Sequence, residues 1–188
     1  MSDTTIPPSD TPPDAGADPA MLDAPPASPI RILGQYIKDL SFETPLAPEI
    51  FTILRSEAPE IPIGLDTVVR HIGGTSFEVT LSVQLEAVVS GGRKAFILEL
   101  AYSAAVEVNT QIVPQEHVHP ILMIEVPRQL FPFVRQLVAD ITGNGGFPPL
   151  MLQVFDFADM YRKKFGDPNA APPMEGAPDR APPPPAVH

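Results

Sequence analysis

The stretch Ser76-Phe-Glu-Val-Thr-Leu-Ser-Val-Gln-Leu-Glu-Ala-Val-Val89, carried across Ser90-Gly91-Gly92 into Arg93-Lys-Ala-Phe-Ile-Leu-Glu-Leu-Ala-Tyr-Ser-Ala-Ala-Val-Glu-Val108, decides the fold. In its first half Phe77, Val79, Leu81, Val83, Leu85, Ala87 and Val89 alternate with Glu78, Thr80, Ser82, Gln84 and Glu86. In its second half Phe96, Leu98, Leu100, Tyr102, Ala104, Val106 and Val108 alternate with Ile97, Glu99, Ala101, Ser103 and Glu107. Successive side chains of a strand point to opposite faces, so a period of two gathers each set on one side of a sheet. The two glycines supply the positive φ of a tight turn, and the halves read as a hairpin of two long, half-buried strands.

Working outward, Ile61 to Ile72 is rich in Ile and Val and ends at Gly73-Gly74, a second turn signal. Arg31 to Glu43 is a fourth strand, closed by Pro45 and Pro48. Four strands joined by short turns predict an antiparallel meander with one wet face. After Val108 the period changes. Residues 128–142 place Leu130, Phe131, Val134, Leu137, Val138 and Ile141 at helical spacing, with Pro127 near the start, Pro132 within the first turn or so and Gly143 past the end. Residues 155–165 form a second helix with Phe157, Met160, Tyr161 and Phe165 on its apolar side and Arg162, Lys163 and Lys164 in its last turn, where cations suit the helix dipole. Strands followed by helices make the fold class α+β, a four-stranded antiparallel sheet (meander) with two helices packed on one face.

Proline accounts for 26 of the 188 residues and collects at the ends. Residues 1–29 hold eight prolines, five aspartates and no Lys or Arg, and residues 168–188 hold eight more prolines, four of them in the run 182–185. Such segments bury too little apolar surface to offset the entropy of ordering, so both are expected to be disordered tails, either solvated spacers or Pro-rich ligands for a partner. One folded domain is expected over 30–167. The net charge of −11 excludes a basic nucleic-acid groove and would be repelled by anionic lipid. No cysteine is present, which removes disulfide scaffolds, thiol nucleophiles and thiolate metal sites. The Met-Ser-Asp start lacks the basic and apolar regions of a signal peptide, and no stretch approaches the roughly 18 apolar residues of a membrane helix, so the expected location is the cytosol, without membrane insertion.

Motifs for chemistry are missing. There is no P-loop, no G-x-G-x-x-G, no G-x-S-x-G and no H-E-x-x-H. His117-x-His119 would share a face if extended, but two histidines without a third ligand make a poor metal site, and they read as loop histidines before Pro120. Gly143-Asn144-Gly145-Gly146 follows a helix instead of preceding one, so it reads as a cap and turn. Neither a catalytic residue, nor a metal site, nor a cofactor is assigned, and the protein is not expected to be an enzyme.

The wet face carries more. Counting alternately through the first strand puts Arg31, Leu33, Gln35, Ile37, Asp39, Ser41 and Glu43 opposite Tyr36, Leu40 and Phe42. Ile97 and Glu99 share the polar side of the fourth strand, so pairing of the two strands would make an acidic patch around an exposed aliphatic side chain. Such a patch suits a basic protein surface, and it equally describes an ordinary solvated sheet. The Ile, Leu, Val and Phe content exceeds what one thin layer can bury, which points to oligomerisation, to a groove for apolar segments, or to both.

Four stretches, in order, resemble the SecB family of protein-export chaperones. They are Tyr36-Ile-Lys-Asp-Leu-Ser-Phe-Glu-Thr-Pro45 with Ala47-Pro48, and His119-Pro-Ile-Leu-Met-Ile-Glu-Val-Pro-Arg128. Leu130-Phe-Pro-Phe-Val-Arg135 and Gly145-Gly-Phe-Pro-Pro-Leu-Met-Leu152 with Asp156-Phe157 complete the set, which spans about residues 31–165. The resemblance implies a homotetramer, a dimer of dimers, that binds unfolded precursor proteins without a nucleotide and delivers them to the SecA ATPase. It implies SecA contacts at Asp39, Glu43, Ile97 and Glu99, and a client groove at Ile61, Ile63, Leu65, Tyr161 and Phe165. Two departures stand out. Ala101-Tyr102-Ser103-Ala104-Ala105 replaces glycines common in the family, and the C-terminus is a Pro/Ala tail where the family can contact SecA. The rival readings are a SecB-like chaperone dedicated to another client such as an antitoxin, a small metal enzyme using His117 and His119, and a structural oligomer without a client.

Overall fold

The computed structural model describes residues 28–166; the Pro-rich tails expected at 1–29 and 168–188 lie, apart from residues 28 and 29, outside them. β1 (Ile30–Glu43), β2 (Ile63–Gly73), β3 (Ser76–Val89) and β4 (Arg93–Val108) form a single antiparallel sheet. Gly91 and Gly92 turn β3 into β4 with φ of 72° and 70°, as the sequence requires.

A meander of all four strands does not form. The spatial order is β1-β4-β3-β2, so only β2, β3 and β4 are consecutive neighbours. The physical reason is loop length. Short turns hold β2 to β3 and β3 to β4, whereas β1 reaches β2 only through residues 44–62, which include the short helix α1 (Ile50–Ile53). Nothing local ties β1 to β2, and it joins the opposite edge beside β4.

The dry face carries Val79, Leu81, Val83 and Leu85 from β3 and Leu98, Leu100, Ala104 and Val106 from β4, all buried. Above it a helical run starts at Gln115, well before the expected 128: α2 (Gln115–Pro120), a π turn (Ile121–Glu125) and α3 (Val126–Asn144). His117 and His119 are therefore helical residues and not loop residues. Pro132 sits inside α3 and not in its first turn. Pro127 has no N–H for the carbonyl of Met123, and the Val126 N–H instead reaches back five residues to Ile121, so one wide turn absorbs the break in the ladder. α3 buries Leu130, Phe131, Val134 and Val138 against β3 and β4.

α4 (Phe157–Phe165) is capped by Asp156, whose side chain accepts from the Asp159 N–H at 3.0 Å, and Phe131 of α3 packs edge-on against Phe157 at 6.0 Å. The segment between α3 and α4 is stitched by buried Thr142, whose hydroxyl donates to the Val138 carbonyl (2.8 Å) and accepts from the Leu150 N–H (2.9 Å).

Gly145 ends α3 where the chain meets β1. A Cβ there would lie 2.4 Å from Cε1 of Phe42, and that ring is held by Phe96 at 5.7 Å and Phe147 at 6.3 Å. Gly-to-Ala near a helix end ordinarily gains about 0.5–1 kcal/mol, but overpacking costs about 1–3 kcal/mol. Gly145→Ala is expected to lower the urea midpoint; an unchanged or higher midpoint would show that Phe42 is free to move.

Candidate partner-binding faces

The two faces of β1 are set by interruptions that strict alternation cannot reveal. Ile32 pairs with Val106 and Gly34 with Ala105, so Leu33 is an extra residue; Ile37 pairs with Tyr102 and Asp39 with Ala101, so Lys38 is another. Each β-bulge shifts the side-chain phase by one. The expected division of β1 is corrected accordingly. Gln35 and Ile37 lie on the helix side, opposite Ala104 and Tyr102, while Tyr36 lies on the outer side, opposite Ser103. Asp39, Ser41 and Glu43 remain outside and Leu40 and Phe42 inside, as expected.

Those bulges bring the four predicted SecA contacts onto one patch. Glu43 faces Ile97, Ser41 faces Glu99, and Asp39 faces Ala101. Asp39, Glu43 and Glu99 are exposed, and Ile97 is half-buried instead of exposed. Among the described residues no ion pair involves Asp39, Glu43 or Glu99, although neighbouring Glu86 is paired with Lys94 at 2.8 Å. The patch is acidic without internal neutralisation.

The opposite end of the same face contains a cluster that the pattern of alternation concealed. Glu78 stands on the nominally wet side of β3 yet is only 5% exposed. Its Oε1 accepts from the Tyr36 hydroxyl at 2.5 Å, and its Oε2 accepts from Lys38 Nζ at 2.8 Å and Arg70 Nε at 3.0 Å. Tyr36 and Lys38 come from β1 and cross β4 above Ser103 and Ala105, where no large side chain blocks the path. Beneath them the Thr80 and Ser103 hydroxyls bond to each other at 2.8 Å. Lys38, then Tyr36 and Arg70, hold the Glu78 carboxyl at about 2, below its ordinary 4.5. The Tyr36 phenol is raised above 10.0, chiefly by its bond to Glu78.

The predicted client residues do not fall in one enclosed cavity. Ile61 lines a hollow of about 340 Å³ with Leu54, Phe96, Phe147 and Leu150. Tyr161 and Phe165 line a small one of about 30 Å³ beside Thr67 and Met123. Ile63 and Leu65 lie on the helix side of β2 between the two, opposite Leu85 and Val83. The five therefore follow the β2 edge of the molecule. Phe147 and Leu150 were not singled out for this hollow, because no local pattern says that the segment after α3 folds back to it. His119 supports two residues of the smaller hollow from behind, packing edge-on against Phe165 at 5.0 Å and meeting the Tyr161 hydroxyl at 3.1 Å. No group of three potential metal ligands occurs among the described residues.

A third face is apolar. β1 is an edge strand with Leu33, Ile37 and Leu40 exposed, and beside them Tyr102 stacks on Phe133, a residue of α3 that is itself 50% exposed.

The family profile described as preprotein translocase subunit SecB matches residues 23–167. The chain belongs to the SecB family. It is 48% identical to the protein-export protein SecB of Rhodospirillum rubrum over 164 residues, covering 87% of this chain and 90% of that one. It is also 48% identical to the SecB of Paramagnetospirillum magneticum over 141 residues, 75% of this chain and 88% of that one. A solved Mycobacterium tuberculosis SecB-like chaperone, in complex with a peptide from an antitoxin, has the same fold: TM-score 0.54 at 16% identity, covering 67% of this chain and 90% of that one. The four-stranded antiparallel sheet with helices on one side is thus a SecB-like α+β fold.

A carboxyl with a lowered pKa stabilises the fold above its unfolded value and loses that contribution as acid protonates it. For Glu78 the loss is expected between about 4.5 and 2. Glu78→Gln should therefore be less stable than wild type near neutrality, by about 1–3 kcal/mol, and the two should converge as the pH approaches 2. Urea unfolding at a series of pH values checks this, and a constant difference across the acid range would contradict it.

Proposed function

We propose that this protein holds unfolded secretory precursors in the cytosol, as a homotetramer without a nucleotide or metal, and passes them to SecA. Membership of the SecB family carries the export-chaperone role. The observation that carries the transfer step is the unneutralised row of Asp39, Glu43 and Glu99 around Ile97 on one sheet face. Carboxylates without internal partners attract a basic protein surface, and a half-buried aliphatic at their centre gives that surface something to desolvate.

Holding is assigned to the β2 edge, where Ile61, Ile63, Leu65, Tyr161 and Phe165 follow one another. An unfolded precursor exposes many apolar segments, and several weak apolar contacts made at once give firm but sequence-tolerant binding. Sequestering the unfolded chain delays its folding by mass action. Chemistry is not required of any residue, so the proposed role is non-enzymatic. Assembly is assigned to the exposed β1 edge and the Ile37–Tyr102–Phe133 surface, since a long apolar edge strand left open is a site for another chain. The names of the relatives at 42–48% identity favour export over a dedicated antitoxin client.

Asp39→Ala and Glu99→Ala are each expected to weaken SecA binding about tenfold, or roughly 1.4 kcal/mol, with the loss growing smaller in high salt. Affinity for an unfolded precursor should not change. Titration calorimetry with both ligands measures the pair, and wild-type affinity for SecA in both variants would sink the assignment of this patch.

A further inference from the structure

The phase of β1 contains a problem. Tyr36 faces outward opposite Ser103 and Ile37 inward opposite Tyr102. Continued without interruption, that pairing would set Asp39 against Leu100 and Glu43 against Phe96, on the buried side of the sheet. One residue of slip turns every following side chain over. The extra residue at Lys38 restores the phase, so Asp39 points outward only as long as this bulge is held in place.

A bulge needs an anchor on each side. After it, Phe42 is fixed by Phe96 and Phe147 on the helix side. Before and within it, Tyr36 and Lys38 both end on the Glu78 carboxylate. Glu78 belongs to β3, two strands away across β4, a span of roughly 10 Å. Ser103 and Ala105 are small enough to let both side chains pass over. Arg70 of β2 then closes the cluster from the other side. A single carboxylate thus takes donors from both edge strands and grips β1 at the residue that carries the phase change.

We infer that Glu78 is a positioning residue for the acidic patch: by holding Tyr36 and Lys38 it fixes the bulge that aims Asp39 at the partner. It bonds to no residue of the acidic patch and to none of the five proposed client residues. Its influence is strongest on Asp39, immediately after the bulge, and fades toward Glu43 and Glu99, which are secured by the Phe42 anchor and by β4. This rests on the assignment of the patch to SecA, and its structural half can be tested without SecA.

The test uses the full chain with Glu78→Gln, and with Tyr36→Phe as a second variant that deletes a single hydroxyl. Amide hydrogen exchange is read at residues 37–40, and SecA and precursor affinities are measured alongside. Exchange at 37–40 accelerated beyond the general rise that lower global stability causes, and about fivefold weaker SecA binding with precursor affinity unchanged, are the expected results. The loss should disappear in an Asp39→Ala background, where there is nothing left to aim, and should multiply with Glu99→Ala. Exchange at 37–40 equal to wild type in both variants overturns the inference, and so does a loss that simply multiplies with Asp39→Ala. If Asp39→Ala alone leaves SecA binding intact, the positioning role falls, and if Glu99→Ala does so as well the patch assignment falls with it, while the exchange data still decide whether Glu78 holds the bulge.

Discussion

β1 runs along β4 from the Ile30–Val108 pair to the Glu43–Ile97 pair, and two extra residues, Leu33 and Lys38, are inserted on the β1 side. Each insertion reverses which residues face outward, so this ladder allots every β1 side chain to the solvent or to the helices. The acidic row, the Glu78 cluster and the apolar edge are three consequences of the same pairing. Phe42 shows how tightly the far end is specified, because its ring occupies the space that a side chain at Gly145 would need. Helix, strand and the aromatic group around Phe147 are thereby locked to one another at the end of the sheet where the acidic patch lies.

The outer face is divided electrostatically along its length. At one end Glu78 and Glu107 are satisfied by Lys38, Arg70 and Arg31, and their charge is used within the molecule. At the other end Asp39, Glu43 and Glu99 have no such partner among the described residues. Exposed ion pairs contribute little to stability individually, but Glu78 is buried under the side chains that bind it, where loss of a partner is felt more strongly. The charge of the internal cluster is satisfied within the sheet, whereas the row of Asp39, Glu43 and Glu99 faces outward without an ion-pair partner among the described residues. The exposed apolar side chains of β1 and the client residues proposed along β2 lie at opposite edges of the sheet, so the proposed client and second copy would dock on different strands.

Much of this was legible residue by residue. The alternation from Phe77 to Val108 identified both central strands and their dry faces, since burial on one side imposes a period of two. Leu130, Phe131, Val134 and Val138 identified α3 because the apolar stripe follows 3.6 residues per turn. Asp39, Glu43 and Glu99 fall together under strict alternation only because counting from Arg31 passes two bulges, whose one-residue shifts cancel by Asp39. Between the bulges the same count misplaced Gln35, Tyr36 and Ile37. His117 and His119 look like loop residues in the sequence because Pro120 follows them, yet that proline continues a helix instead of breaking it.

By itself the sequence determined the strands, the central hairpin, the long helix and the family, because these depend on local period, turn chemistry and ordered motifs. Tertiary structure decided what lies between segments distant in the chain. It put β1 beside β4 instead of β2, since a connection as long as residues 44–62 imposes no neighbour. It buried Glu78 on a face that alternation marks as wet, because only the assembled sheet brings Tyr36, Lys38 and Arg70 over it. It also placed the two bulges, which leave no periodic trace; the one at Lys38 lies between the Phe42 contacts on one side of β1 and the Glu78 cluster on the other.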